Sequence, residues 1–174
     1  MSRFIIHLME EELRMTPVTD LCDEFSDKLQ IAEPIFTDFG GTLDFAGPIS
    51  TVKCFEDNSL VRAALEEPGE GRVLVVDGGA SDRCALLGDN LAQLAIDNEW
   101  AGILVYGCIR DSAEISQMGV TVKALNAHPK KSNKKNQGER DVPVRFAGVS
   151  FMPGDWVYAD LDGVVVSASE LSLS

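Results

Sequence analysis

Positive charge is scarce in this sequence, which has 15 lysines and arginines against 28 aspartates and glutamates and a net charge of −13. A surface of this sign repels the phosphates of DNA and RNA, so it argues against direct nucleic-acid binding. It also repels anionic substrates at long range. An acidic substrate would therefore need a local cation or a metal ion at its binding site.

Histidine is rare as well, since His7 and His128 are the two in the chain and both lie far from the candidate site in sequence. The four cysteines have no CxxC spacing, which argues against a zinc site or a redox pair. We interpret them as buried free thiols in a reducing cytosol, and without a nearby histidine they do not suggest covalent catalysis. They are Cys22, Cys54, Cys84 and Cys108.

Several diagnostic sequence patterns are missing. There is no GxGxxG dinucleotide loop, no GxxxxGK[ST] phosphate loop and no GxSxG nucleophile elbow. No apolar run approaches the ~18 residues of a membrane span. The apolar start at residues 4–9 is short and is followed by three glutamates, which makes a poor signal peptide. We therefore expect a cytoplasmic protein with no membrane partner.

The order of the sequence patterns predicts an α/β domain with a mixed sheet, because helices and buried strands alternate in the middle and antiparallel strands flank them. We expect residues 1–16 to be an N-terminal extension and residues 17–174 to form one domain. The predicted helices cover 18–29, a segment through about 65 with Asp57 or Asn58 as its cap, a turn within 81–87, 89–99 and 112–118. The predicted strands cover 49–54, 72–77, 101–106, 120–125, 142–146, 149–152, 156–159 and 163–166.

The stretch from Gly88 to Asp111 organises these elements. Asp89 is a good helix N-cap for the helix at 89–99, and the apolar run at 101–106 is typical of a strand buried on both faces. Gly107 is expected to break that strand, after which Arg110 and Asp111 follow. Sites in α/β sheets collect at the carboxyl ends of strands and at helix amino ends.

Two interpretations stay open for each half of this stretch. The backbone N–H groups of Gly88, Asp89, Asn90 and Leu91 could hold a carboxylate, or they could begin an ordinary helix. Arg110 and Asp111 could be a surface pair that caps the next helix, or Asp111 could bind a hard ion such as Mg²⁺, which uses one or two carboxylates together with waters and substrate oxygens.

A third feature is the lysine-rich segment at 129–138, which carries four lysines. A solvated loop is the simpler interpretation of such a charge run. The functional alternative is a mobile flap over a site.

A set of short motifs resembles the RraA family, named for the regulator of ribonuclease E activity A. The resemblance extends from about Val18 to Leu171. The matching segments are residues 39–41, 51–58, 73–79, 107–111, 153–155, 158–160 and 162–163.

Within that family are metal-dependent class II aldolases that act on 4-hydroxy-4-methyl-2-oxoglutarate and also decarboxylate oxaloacetate. Their motif is a Gly-Asp-x-Leu turn followed by Arg-Asp and an acid, which matches residues 88–91, Arg110, Asp111 and Glu114 here. The resemblance implies that Asp111 binds Mg²⁺ or Mn²⁺, that Arg110 contacts the substrate and that the amides at 88–91 hold a substrate carboxylate. A water held by Asp89 or by the metal could serve as the base.

The resemblance also implies an αββα sandwich of the swivelling β/β/α type and a homotrimer with sites at subunit boundaries. The dedicated aldolases have a longer C-terminus that brings an acid to the neighbouring site, and this chain ends soon after Glu170. The alternative function is a protein-binding regulator that inhibits a ribonuclease E-type endoribonuclease. The retained Arg110–Asp111 pair favours the lyase and the overall similarity favours the regulator, and the two functions are not exclusive.

Overall fold

The computed structural model describes residues 15–173, which form a mixed α/β structure. Its helices are α1 (Val18–Phe25), α2 (Ser59–Leu65), α3 (Asp89–Asp97) and α4 (Ser112–Ile115), with a 3-10 turn at Ser26–Lys28. Its strands are β1 (Leu29–Ile31), β2 (Thr37–Asp38), β3 (Phe45–Lys53), β4 (Val73–Asp77), β5 (Ala85–Leu87), β6 (Gly102–Ile109), β7 (Val122–Ala127), β8 (Glu139–Arg140), β9 (Val144–Phe146), β10 (Val149–Phe151), β11 (Trp156–Asp160) and β12 (Gly163–Ser167).

Strand β3 belongs to two packed layers. Its first half pairs antiparallel with β11, and its second half, from Ile49 onward, pairs parallel with β4. The path through the sheet is β1-β12-β11-β3-β4-β6-β7-β2, so an antiparallel part continues into a parallel part through one long strand. The mixed sheet expected from the sequence is confirmed.

Three apolar clusters separate four layers. Val18 and Leu21 of α1 pack on Tyr158 and Val165 at the outer face of the antiparallel part. A second cluster fills the space between the antiparallel and parallel parts, and it is formed by Val157, Val164, Val73, Leu104 and Phe151 among others.

The third cluster lies on the far face of the parallel part, where Leu74 and Ile103 pack against Leu65 of α2 and Ala92 of α3. The alternation of β4 and β6 residues between these two clusters explains why both strands read as continuous apolar runs. The layers follow the order α, β, β, α, which confirms the predicted sandwich and matches solved RraA structures.

Two local predictions around the central stretch are wrong. Residues 85–87, assigned to a helical turn, form β5, which pairs parallel with β6. Gly107 does not end its strand, because the absence of a side chain lets Leu86 and the backbone of Gly78 pack against it and β6 continues to Ile109.

Other boundaries move by a few residues. Helix α3 ends at Asp97 rather than 99, since Glu99 adopts a left-handed conformation with φ 60°. Helix α1 gives way to a 3-10 turn before Leu29, and α4 ends at Ile115 rather than 118. The strand expected at 120–125 begins at Val122, and β3 begins at Phe45 rather than 49.

All four cysteines are free, as the sequence analysis predicted, but Cys22 is only partly buried while the other three are buried. Burial raises the pKa of the Cys54 thiol to about 12 and also raises the pKa values of Cys84 and Cys108, so these thiols are protonated and unreactive near neutral pH. Most of the predicted extension, including His7, lies outside the described residues. Among residues 15–173, no helix has the length and apolar character to cross a membrane.

Candidate functional site

The amino end of α3 is the first part of the site. Strand β5 carries three buried residues to Gly88, which is the N-cap of the helix in an extended conformation. The N-cap is thus Gly88 and not Asp89, which forms the first helical residue. The Asp89 carboxylate accepts a hydrogen bond from its neighbour Asn90 N–H at 2.8 Å.

The carboxyl end of β6 supplies the second part. The backbone N–H of Arg110 donates to the carbonyl of Leu87 at 2.8 Å, which places the end of β6 beside the end of β5. Asp111 then adopts a left-handed conformation with φ 56° and ψ 41° and becomes the N-cap of α4. A non-glycine residue in this region costs free energy and is often found at functional sites.

The two parts meet at the Asp111 carboxylate. Its Oδ2 accepts a hydrogen bond from Asp89 N–H at 3.2 Å and lies 3.9 Å from Nε of Arg110. A Cβ atom on Gly88 would lie 2.6 Å from the same oxygen, so only glycine fits there without displacing Asp111. The structure thus brings residues 88–91 next to Arg110 and Asp111, which the sequence alone left open.

The helix amides are not all free. Asp89 N–H and Asn90 N–H are engaged by the carboxylates of Asp111 and Asp89, respectively. Both partners are aspartates, which shows that the amino end of α3 attracts negative charge, as expected from its unpaired N–H groups and dipole. Leu91 is buried, and its N–H has no hydrogen-bond acceptor within residues 15–173.

One polar cleft contains all of the predicted site residues. Its walls include Gly88, Asp89, Asn90, Leu91, Arg110 and Asp111. Glu114, the third acid of the motif, is exposed in the first turn of α4 and does not line the cleft.

The cleft also contains residues that the sequence analysis did not assign to it. These are Asn58, the N-cap of α2, Arg62 in its last turn, Ala85 and Leu87 of β5, and Lys131, Ser132 and Lys134 from the lysine-rich segment. The Oδ1 atom of Asn58 is buried without a hydrogen-bond partner in the described structure. The run of lysines was the signal for this segment, although its place at the cleft required the fold.

The donor atoms in the cleft fit a hard, hydrated cation. The Asp111 side chain is 35% exposed, and its Oδ1 receives no hydrogen bond from any residue in 15–173. No group of three or more His, Cys, Asp or Glu side chains that could hold a metal occurs within the same range, so the site does not suit zinc. One carboxylate with waters and substrate oxygens suits Mg²⁺ or Mn²⁺.

The fold and the cleft define a class of protein, an αββα sandwich with a polar cleft at the ends of its strands. The amino end of a helix, two arginines, two aspartates and two lysines line it at the ends of two parallel strands. The RraA-like family, described as Aldolase/RraA, matches residues 18–166, and the chain belongs to that family.

Individual relatives agree with this assignment. A protein of Alkalilimnicola ehrlichii, named provisionally as a 4-hydroxy-4-methyl-2-oxoglutarate aldolase, is 64% identical over 89% of this chain and 96% of its own length. The solved structure of the RNA-processing inhibitor RraA from Thermus thermophilis has a TM-score of 0.88 and 44% identity, over 91% of this chain and 96% of that one. A Geobacillus kaustophilus structure, named as an S-adenosylmethionine:2-dimethylmenaquinone methyltransferase, has a TM-score of 0.87 and 53% identity. The match covers 90% of this chain and 97% of that one.

Proposed function

We propose that this protein is a divalent-metal-dependent lyase that cleaves 4-hydroxy-4-methyl-2-oxoglutarate to pyruvate and decarboxylates oxaloacetate. The observation that carries the proposal is the junction of Asp89 N–H, Arg110 and the Asp111 carboxylate in one cleft. The names of the aldolase-like relatives support the same reaction class.

The residues of the junction have separate roles. Asp111 would hold Mg²⁺ or Mn²⁺ through its carboxylate, with water completing the coordination. The amino end of α3, at Gly88, Asp89, Asn90 and Leu91, would bind the substrate carboxylate next to the keto group, and the substrate would there replace the aspartate carboxylates that Asp89 N–H and Asn90 N–H contact in this structure. The Arg110 guanidinium would contact the keto oxygen, where its fixed charge and planar donors are well suited to an oxygen that gains negative charge.

Both reactions require the site to stabilise negative charge on the keto oxygen. Breaking the C3–C4 bond of the aldol substrate, or losing carbon dioxide from oxaloacetate, leaves an electron pair that moves onto the keto oxygen. A divalent metal supplies Lewis-acid stabilisation of that charge. Asp89, at the cleft wall, would position a water that removes the hydroxyl proton in the aldol cleavage.

The first experiment measures pyruvate release from both substrates with purified protein. We expect turnover with Mg²⁺ or Mn²⁺, loss of turnover after treatment with a chelator, and recovery when the metal is added back. Arg110→Lys keeps the charge but loses the planar donors, and it should reduce kcat at least about tenfold. Absence of turnover with every divalent metal tested would overturn the proposal.

A second candidate function is inhibition of a ribonuclease E-type enzyme through protein contact. The similarity to an RNA-processing inhibitor favours it, and the net charge of −13 would suit a basic partner segment. Retention on an immobilised ribonuclease E C-terminal segment should fall steeply with salt and should survive Asp111→Ala. No retention at low salt would remove this candidate.

A further inference from the structure

The lysine-rich segment is fastened to the protein by one buried carboxylate. Asp57, whose exposed fraction is 3%, accepts hydrogen bonds from Ser59 N–H at 2.9 Å and from the Ser59 hydroxyl at 2.6 Å through Oδ1. Its Oδ2 accepts from Lys135 N–H at 2.8 Å and from Gln137 N–H at 3.2 Å. Asp57 thus ties the start of α2 to the middle of the segment.

Further hydrogen bonds fix the rest of the segment. The buried Ser132 hydroxyl accepts from Asn58 N–H at 3.1 Å, and Asn133 N–H donates to the carbonyl of Glu56 at 3.2 Å. On the other side, Ala85 N–H donates to the carbonyl of Lys130 at 2.8 Å. The backbone at 130–137 is therefore held from both the α2 side and the β5 side of the cleft.

This backbone directs two lysines to the cleft without giving them a protein partner. Lys131 and Lys134 both line it, and neither forms an ion pair with a carboxylate within residues 15–173. Arg62 also lines the cleft, but its Nε is 3.1 Å from Glu66. In a chain with a net charge of −13, two unpaired cations facing one cleft are available to an anionic ligand.

In the proposed lyase, the junction at Asp89, Arg110 and Asp111 would bind the keto group of a 2-oxo diacid and the carboxylate next to it. It leaves the second carboxylate, at the far end of the substrate, without a partner. The carboxylate at the far end also needs a cation, because an unpaired carboxylate is costly to remove from water. We propose that Lys131 and Lys134 bind this distal carboxylate and make the site selective for dicarboxylic over monocarboxylic 2-oxo acids, with Asp57 as the positioning residue. This inference rests on the proposed lyase function.

Binding of a matched pair of ligands tests the inference without turnover. 2-Oxoglutarate and 2-oxopentanoate have the same chain length and differ in the terminal group, a carboxylate or a methyl. Calorimetry with Mg²⁺ present should show tighter binding of 2-oxoglutarate to the unaltered protein. Lys131→Gln and Lys134→Gln should each weaken 2-oxoglutarate binding about 5- to 10-fold and leave 2-oxopentanoate within about twofold.

Lys135→Gln is the matched control, since it removes the same charge from the same segment but its side chain does not line the cleft. It should leave both affinities unchanged. An equal loss of 2-oxoglutarate affinity in Lys134→Gln and Lys135→Gln would show a general effect of charge and overturn the inference. So would an unchanged preference for 2-oxoglutarate in the Lys131→Gln/Lys134→Gln double variant.

Turnover separates failure of the inference from failure of the proposed function. The double variant should raise KM for 4-hydroxy-4-methyl-2-oxoglutarate about 30-fold or more with little change in kcat, and it should spare 4-hydroxy-4-methyl-2-oxopentanoate, which lacks the distal carboxylate. Pyruvate formation without this selectivity would overturn the inference alone. Lysine-dependent binding of 2-oxoglutarate without any turnover would support the inference and overturn the lyase.

Asp57→Asn tests the positioning role. An amide has one oxygen and cannot accept all four hydrogen bonds, so the segment should loosen. We expect faster hydrogen exchange at Lys135 and Gln137 and a KM increase of about 5-fold or more for the diacid alone. Faster exchange with unchanged diacid selectivity would show a structural role only and would contradict the assignment of Asp57.

Discussion

At the scale of single residues, Gly88 allows the amino end of α3 and the Asp111 carboxylate to lie in contact, because it has no side chain between them. A Cβ there would lie 2.6 Å from Asp111 Oδ2 and 3.5 Å from Arg110 Nε, and the backbone φ of −130° is accessible to any residue. We therefore expect Gly88→Ala to fold normally but to shift the Asp111 carboxylate, and to lower kcat/KM at least about tenfold.

Gly119→Ala is the control for this prediction, because a Cβ at Gly119 meets no atom within 4 Å. Steady-state kinetics of both variants measure kcat/KM, and thermal unfolding checks that both are folded. Unchanged kcat/KM in Gly88→Ala would show that the position of Asp111 is not critical.

Asp57 also makes stability depend on pH. Burial alone would raise the pKa of its carboxyl, but the hydrogen bonds from Ser59, Gln137 and Lys135 outweigh burial and lower it to about 2 from a usual 3.8. Because the pKa is depressed in the folded state, the ionised carboxylate stabilises the protein fully above about pH 5. That contribution, about 2 kcal/mol, is lost as the pH falls through the two pKa values.

Asp57→Asn should therefore lose stability at pH 7 and flatten the acid limb of the stability curve between about pH 5 and pH 2. Urea unfolding at a series of pH values measures this. A mutant curve parallel to that of the unaltered protein would mean that another group causes the acid sensitivity.

At the scale of elements, the burial that stabilises β4 and β6 in the structure is also what makes them predictable from the sequence. Their residues alternate between two apolar clusters, so both faces are buried and continuous apolar runs predict them. Strand β5 could not be predicted, because three residues have too little periodicity and its pairing with β6 is a tertiary contact. That missed strand positions Gly88 beside Arg110.

The lysine-rich segment illustrates the same limit. Its sequence is polar throughout and favours a solvated loop. What fixes it is Asp57, which lies more than seventy positions earlier in the chain, within the matching segment 51–58. Contacts over such separations are not contained in any local pattern, so the cleft could be predicted at residues 88–91, 110 and 111 but not on its lysine side.

A graded pair of substitutions in β6 tests the layered core. Ile103 is fully buried against α2 and α3. Ile103→Val should cost about 1 kcal/mol and Ile103→Ala about 2–5 kcal/mol, because the larger deletion leaves a cavity between the sheet and the helices. Denaturant unfolding measures both, and a loss below about 1 kcal/mol for the alanine variant would contradict tight packing between these layers.

At the scale of the whole molecule, large apolar side chains remain on the surface of an acidic protein. Ile31, Phe55 and Leu161 are 60%, 59% and 68% exposed, respectively. The resemblance to the RraA family implies a homotrimer, and apolar contact would be needed to overcome the repulsion between chains of −13 charge.

Light scattering at micromolar concentration should therefore give about three times the 18.9 kDa mass of the chain. A monomer under these conditions would remove the expectation of sites at subunit boundaries. It would also weaken the lyase proposal, because the resemblance implies that the sites form at subunit boundaries.

The central claim is that the Asp111 junction performs metal-dependent cleavage of a 2-oxo diacid. The most direct measurement compares pyruvate release by Asp111→Ala and Glu114→Ala with that of the unaltered protein, at saturating Mg²⁺ and with circular dichroism as the check of folding. Both variants remove one carboxylate from the same region, but only Asp111 lines the cleft. Our account predicts no detectable turnover for Asp111→Ala and near-normal turnover for Glu114→Ala. Full activity in Asp111→Ala would contradict it.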